Sequence, residues 1–162
     1  MKTAVDANVL FDLLAGDPPF AASSRQALAD ALSAGPVVIC QVVYAELAAG
    51  FANPKEAIQF LRDLQIAVEI LSTNAIFQAA AAWRTYAGRR GKDVQCPKCG
   101  HRTALSCPAC RAPLAWRQHI IADFLVGGHA AHQADQLLTR DPGYYRAYFP
   151  GLRLVDPTRA AS

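Results

Sequence analysis

No apolar run in this 162-residue chain reaches the roughly 18 residues that a membrane-spanning helix needs. The start of the chain also lacks the apolar stretch of a signal peptide, because Asp6 stands where that stretch would be. Neither an internal repeat nor a low-complexity linker is visible along the sequence. Apolar residues make up 52% of the composition, which is enough to bury a core. We therefore expect a cytoplasmic, single-domain protein, and not a membrane, secreted or fibrous one.

Acidic residues are nearly missing from one part of the chain. Residues 84–117 contain eight basic side chains and one acid, so this segment carries a net charge of +7 while the remainder carries −4. Clustered positive charge is typical of a surface that binds a polyanion such as nucleic acid. A solvated, arginine-rich surface without a partner is the alternative. The basic residues are Arg84, Arg89, Arg90, Lys92, Lys98, Arg102, Arg111 and Arg117.

Cysteine is scarce outside the same segment, since only Cys40 of the five cysteines lies elsewhere. Cys40 ends an apolar run, and we predict that it is buried. The other four form two Cys-Pro-x-Cys pairs separated by seven residues. Four thiolates at this spacing suit a closed, tetrahedral Zn2+ site, and we predict a zinc ribbon inserted at residues 94–113. Iron and two disulfides are the alternatives, although a cytosolic chain disfavours disulfides. The predicted ligands are Cys96, Cys99, Cys107 and Cys110.

Short apolar segments alternate with longer helical ones on both sides of the cysteine segment. Strands are predicted at 2–5, 36–40, 67–71, 136–139 and 152–155, and helices at 8–14, 23–32, 41–51, 53–64, 72–90, 116–132 and 142–149. This alternation predicts an α/β fold with three layers, α/β/α, around a central and mostly parallel sheet. We expect one domain over residues 1–162, interrupted by the insertion at 94–113.

Four acids stand in unusual contexts. Asp6 and Asp141 follow predicted strands directly or nearly so, at the edge of a parallel sheet where ligands bind. Glu46 and Asp123 lie inside otherwise apolar helical segments, where a buried charge is costly unless it is paired or bound to metal. Together the four carboxylates suit a hard cation such as Mg2+ or Mn2+. Taken singly, they could instead be helix caps, turn residues or part of a solvated helix face.

Five short stretches resemble the PIN-domain nucleases, and the VapC-type toxins in particular. They are residues 5–10, 43–47, 121–123, 137–141 and 149–155. The resemblance implies that Asp6, Glu46, Asp123 and Asp141 are catalytic, with Asn8 and Thr139 supporting them. It further implies that Asp6, Asp123 and Asp141 hold Mg2+ or Mn2+, while Glu46 completes the site or orients water. Two features depart from the family pattern: the run 124–129 after the third acid, and the four-cysteine insertion.

The resemblance implies a metal-dependent endoribonuclease, the toxin of a VapBC-type toxin–antitoxin pair, with RNA as substrate, an antitoxin as partner and a homodimer as assembly. The basic segment would then contact RNA phosphates. The alternatives are a PIN nuclease that processes RNA, a non-catalytic zinc-ribbon module on a degenerate scaffold, and a small metal-dependent phosphatase. The insertion could extend the RNA-binding surface, dock a protein or a second copy of the chain, or brace the active-site loop.

Overall fold

The computed structural model describes residues 1–16, 18–89, 94–95, 101–114 and 121–159. In these ranges the strands are β1 (Thr3–Val5), β2 (Val37–Cys40), β3 (Ile66–Glu69), β4 (Val94–Gln95), β5 (Arg102–Thr103), β6 (Leu105–Ser106), β7 (Pro113–Leu114), β8 (Gln136–Leu138) and β9 (Leu154–Val155). The helices are α1 (Ala7–Ala15), α2 (Pro18–Ala34), α3 (Gln41–Ala48), α4 (Pro54–Asp63), α5 (Thr73–Arg89), α6 (Ile121–Gln133) and α7 (Pro142–Tyr148).

The main sheet has five strands in the order β3-β2-β1-β8-β9, and all neighbouring strands are parallel. This confirms the predicted parallel sheet of an α/β fold. Every residue of β1, β2 and β8 is buried. Since successive side chains point to opposite faces of a sheet, both faces of these three strands are covered. β1 is the middle strand, so the residue that follows it lies at the centre of the carboxyl edge.

Helix boundaries follow local chemistry at most positions. Gly16 ends α1 in the left-handed region at φ 65°, and Asn53 caps α4 by accepting from the backbone N–H groups of its first turn. The second helix was predicted to begin at residue 23, and this start is wrong, because α2 begins at Pro18. Ser24 is fully buried, and its hydroxyl donates to Asp12 instead of capping the helix. In the described part of the chain, no helix has the length and apolarity to cross a bilayer.

Helices α5 and α6 run antiparallel and in close contact. A Cβ on Gly128 would lie 2.4 Å from the carbonyl oxygen of Ala75, so only glycine allows this approach near the start of α5. Near the other end of α5, the ring of Tyr86 lies 5.6 Å from that of Phe124, in the first turns of α6. The end of α5 therefore lies beside the start of α6, which carries Asp123.

The segment between α5 and α6, where the sequence predicts an inserted zinc ribbon without placing strands in it, contains short strands in its described residues. β4 pairs with β5 and β6 pairs with β7, forming two antiparallel hairpins. The sequence pattern missed them because two-residue strands are too short to show a period. Cys96 and Cys99, like the basic residues Arg90, Lys92, Lys98 and Arg117, lie outside the described residues.

Candidate active site

The carboxyl edge of the sheet brings together the acids that follow β1 and β8. Asp6 comes directly after β1, and its backbone N–H donates to the carbonyl oxygen of Leu138, at 3.0 Å. Asp141 follows β8 by three residues and is the N-terminal flanking residue of α7. Because β1 and β8 are parallel neighbours, both acids emerge from the same edge.

Asp6 is held by neutral hydrogen-bond donors. Its side chain is only 8% exposed. One oxygen, Oδ2, accepts from Asn8 Nδ2 at 2.9 Å, from Thr139 Oγ1 at 2.8 Å and from the Tyr145 hydroxyl at 3.2 Å. Three donors on one oxygen fix the orientation of this carboxylate without neutralising its charge.

The same two polar residues tie the end of β1 to the loop after β8. The Thr139 hydroxyl accepts from Asn8 Nδ2 at 3.2 Å and from the backbone N–H of Asp141 at 3.1 Å. Asn8 Oδ1 accepts from the backbone N–H of Arg140 at 3.2 Å. Asn8 and Thr139 therefore set the relative positions of Asp6 and Asp141.

Two helices contribute the other two acids. Asp123 is half-buried in the first turn of α6. Glu46 is exposed on α3, which contradicts the expectation that it is buried among apolar neighbours. Val43 and Leu47 are the buried side chains of α3, and Glu46 lies outside the narrow face that they form.

The four carboxylates are close enough to perturb one another. Burial, together with the negative charges of Asp6 and Asp141, raises the pKa of Asp123 to about 6. Partial desolvation raises the pKa of Glu46, and so do the charges of Asp6 and Asp123. The pKa of Asp6 is raised chiefly by burial, against the hydrogen bonds from Thr139 and Tyr145 that lower it. Each of the four acids thus contributes to a shared region of negative potential.

In the part of the chain that the structure describes, no cationic side chain neutralises this region. None of the four acids forms an ion pair within the described residues, where the pairs join Lys2 and His129 to Glu69, Arg140 to Asp12, and Arg159 to Asp156. Nor is any group of three His, Cys, Asp or Glu side chains in this part of the chain arranged to hold a metal ion. The carboxylates surround one region without forming a closed set of ligands.

Two residues near the site were missed by the sequence analysis. Tyr145 is buried on α7 and donates to Asp6, but one tyrosine among several gives no signal in a sequence. Asp12 is buried on α1, where its Oδ2 accepts from Ser24 Oγ at 2.6 Å and lies 2.8 Å from Arg140 Nε. The Arg140 guanidinium also lies 4.4 Å from the centre of the Phe20 ring. Asp12, like Glu46 and Asp123, is an acid inside an apolar helix, and this pattern in the sequence could have identified it.

The basic residues predicted to bind nucleic acid are only partly described. Arg84 and Arg89 are exposed on α5, and Arg111 is exposed between β6 and β7. Arg102 belongs to β5, and its side chain is outside the described set. The α5 helix contacts the helix that carries Asp123, because the ring of Tyr86 packs against Phe124 on α6.

A parallel α/β sheet with acids gathered at its carboxyl edge defines the class of this protein. Residues 3–150 match the family described as PIN domain, and the chain therefore belongs to that family. PIN domains are generally nucleases, and they typically use divalent metal ions such as Mg2+ or Mn2+. No curated protein matches the chain in sequence.

Solved structures with a similar fold come from toxin–antitoxin complexes. VapBC-1 from nontypeable Haemophilus influenzae has a TM-score of 0.61 and 18% identity, covering 98% of this chain and 100% of that chain. VapBC2 from Rickettsia felis, bound to a DNA fragment from its promoter, has a TM-score of 0.60 and 17% identity, with coverage of 96% and 98%. DNA-bound VapBC from Salmonella typhimurium has a TM-score of 0.60 and 17% identity, with coverage of 97% and 98%. At these identities the likeness is one of fold.

Replacement of Tyr145 by Phe tests the neutral donors around Asp6. Because the Tyr145 hydrogen bond lowers the pKa of Asp6, Tyr145→Phe should raise it. Carbon-detected NMR titration of the carboxyl groups measures the change. Tyr148→Phe is the matched control, since Tyr148 packs in the same aromatic cluster at 5.4 Å from Phe124. An equal shift in both variants would contradict a specific role for the Tyr145 hydroxyl.

The raised pKa of Asp123 predicts a pH dependence of stability. Between the ordinary value of 3.8 and about 6, the folded protein holds a proton at Asp123 that the unfolded chain has released, so raising the pH through this window should destabilise the fold. Asp123→Asn should reduce this loss of unfolding free energy by on the order of 1 kcal/mol, after allowance for solvent screening. Urea unfolding at pH 4 and pH 7 without added divalent cation measures this loss. Asp63→Asn, on the exposed end of α4, should keep the full wild-type loss; an Asp123→Asn variant that also keeps it would contradict the prediction.

Proposed function

We propose that this chain is a metal-dependent endoribonuclease that hydrolyses RNA phosphodiesters. The observation that carries the proposal is the electrostatic coupling of four carboxylates around one edge of the sheet: Asp6 couples to Asp141, Glu46 and Asp123, and Asp123 couples to Asp141. A region of this charge repels phosphate unless a cation offsets it, and this supports a metal-dependent reaction.

The residues present suit Mg2+ or Mn2+. Their donor atoms are carboxylate oxygens, which hard divalent cations prefer. The mutual repulsion that raises the pKa values of Glu46 and Asp123 is also the repulsion that a bound cation would relieve. Asp6, Asp123 and Asp141 are the proposed ligands.

The chain's own groups would organise the reaction around that charge. Asn8, Thr139 and Tyr145 hold Asp6 in one orientation, and Thr139 also holds the backbone of Asp141. Glu46 is the exposed member of the set, and its raised pKa makes it a stronger base, which suits a group that orients water. When bound, the divalent ion would polarise the phosphoryl group and acidify water.

Substrate affinity would come from the basic segment. Arg84, Arg89 and Arg111 are exposed, and they belong to the segment of net charge +7. Arginine contacts to phosphate are independent of sequence and weaken as salt rises. We propose that this segment positions the RNA strand, while the acids cut it.

The toxin of a VapBC-type pair is the proposed biological role. It is supported by membership of the PIN family and by the likeness of fold to VapBC complexes, some of them bound to DNA. An antitoxin protein and a second copy of the chain are the partners proposed with it. An RNA-processing PIN nuclease is the alternative role.

Cleavage assays test the nuclease proposal. Purified chain with Mg2+ or Mn2+ should cut single-stranded RNA of mixed sequence, and Asp6→Asn or Asp123→Asn should reduce the rate on the order of 100-fold or more by removing a cation ligand. Asp63→Asn on the exposed end of α4 is the matched control and should cut at the wild-type rate.

Two outcomes would contradict this nuclease. Salt-dependent RNA binding without cleavage, unchanged by the acid substitutions, would indicate a non-catalytic binding module. Hydrolysis of p-nitrophenyl phosphate with no action on RNA would indicate a phosphatase.

Growth assays separate the toxin from the RNA-processing enzyme. Induced expression in a bacterial host should stop growth with the wild-type chain but not with Asp6→Asn, at equal protein levels. Co-expression with the product of an adjoining gene for a small DNA-binding protein should restore growth. Normal growth under wild-type expression, with nuclease activity intact in vitro, would reject the toxin role.

A further inference from the structure

The two hairpins between α5 and α6 are built on the same plan. Gln95 lies opposite Arg102 in the first hairpin, and Ser106 lies opposite Pro113 in the second. Each pairing encloses a loop of six residues, Cys-Pro-Lys-Cys-Gly-His in the first and Cys-Pro-Ala-Cys-Arg-Ala in the second. Each loop starts with a cysteine directly after a strand and has its second cysteine three positions later. The segment is therefore a short internal repeat, which the sequence analysis overlooked.

The second loop is folded around the sulfur of its first cysteine. The Cys107 sulfur accepts hydrogen bonds from the backbone N–H groups of Cys110 and Ala109. The loop is closed by two further bonds at 2.8 Å, from Cys107 N–H to the Ala112 carbonyl and from Arg111 N–H to the Cys107 carbonyl. Backbone N–H groups directed at a sulfur stabilise the thiolate, which is the form that binds metal.

The residue types at one position of the two loops suit the same backbone conformation. Arg111 adopts the left-handed region, with φ 58°. At the equivalent position the first loop has Gly100, the residue type that adopts this region without strain. The two loop sequences therefore suit the same fold, even though Gly100 itself lies outside the described residues.

The described side chains of the hairpins form no apolar core. Among residues 101–112, every described side chain is exposed except that of Cys107, which is half-buried, and Leu105 is 45% exposed. An isolated two-stranded hairpin is at best marginally stable in water. A small segment of this kind needs another source of folding energy, and metal binding by thiolates is such a source.

We propose that the two hairpin loops bind one structural Zn2+, with Cys107 and Cys110 as one half of the ligand set and Cys96 and Cys99 as the other. Cys107 and Cys110 are free thiols in a loop that two backbone hydrogen bonds close. Cys96 and Cys99 are included in the ligand set because of their spacing in the sequence and because of the register of the strands that flank them. Four thiolates leave no open position, so this ion is structural and separate from the acids at the sheet edge.

Metal analysis of the full chain, purified under reducing conditions, tests the proposal. We expect one zinc per chain, with X-ray absorption at the zinc edge giving four sulfur neighbours at about 2.3 Å. Both measurements use the wild-type protein, so they do not depend on whether a variant folds. No stoichiometric metal, iron in place of zinc, or nitrogen and oxygen neighbours would each overturn the proposal.

Substitutions identify the ligands. Serine at position 96, 99, 107 or 110 should abolish stoichiometric zinc in each case, whereas Cys40→Ala should retain it, because Cys40 is a buried residue of β2. Asp6→Asn should also retain the zinc, so failure of the nuclease proposal and failure of the zinc proposal give different results. Retention of zinc in the Cys107→Ser or Cys110→Ser variant would overturn the assignment.

Discussion

Repulsion among like charges is the constraint on which the site depends. Asp6, Glu46, Asp123 and Asp141 raise one another's free energy when they are ionised, so no local preference of the chain would bring them together. The sheet brings the acids together, because burying the apolar side chains of its strands stabilises the fold. β1, β2 and β8 are buried along their whole length. The aliphatic core thus offsets the electrostatic cost of the acidic edge, as is common when a site is less stable than the fold around it.

The protein restrains these charges without cancelling them. Asp6 is fixed by an amide and two hydroxyls, which are donors without charge. Arg140, although adjacent in sequence to Asp141, is held by Asp12 and lies against Phe20. Asp12 therefore holds a potential counter-ion in a separate ion pair, and the negative potential of the four acids is not offset by Arg140.

The fold and the four acids could be predicted because their signals are local. Asp6 and Asp141 follow apolar strands, and Glu46 and Asp123 interrupt apolar helices, so each is visible within a window of about ten residues. The exposure of Glu46 was not predictable in this way, because it depends on how little of α3 is buried. Tyr145 was missed for a related reason: its contact with Asp6 joins positions 139 apart in the sequence. The hairpins were not predicted, because strands of two residues are too short to show an alternation of apolar and polar side chains.

The antiparallel contact between α5 and α6 has a consequence for how this chain could have diversified. With Tyr86 and Phe124 side by side, the chain leaves and re-enters the domain at nearly the same place. Extra residues at such a point add only the slowly growing entropy of a longer loop and displace nothing in the sheet. Evolution could therefore lengthen, shorten or exchange the cysteine segment as a unit, while the acids at the carboxyl edge of the sheet keep their positions.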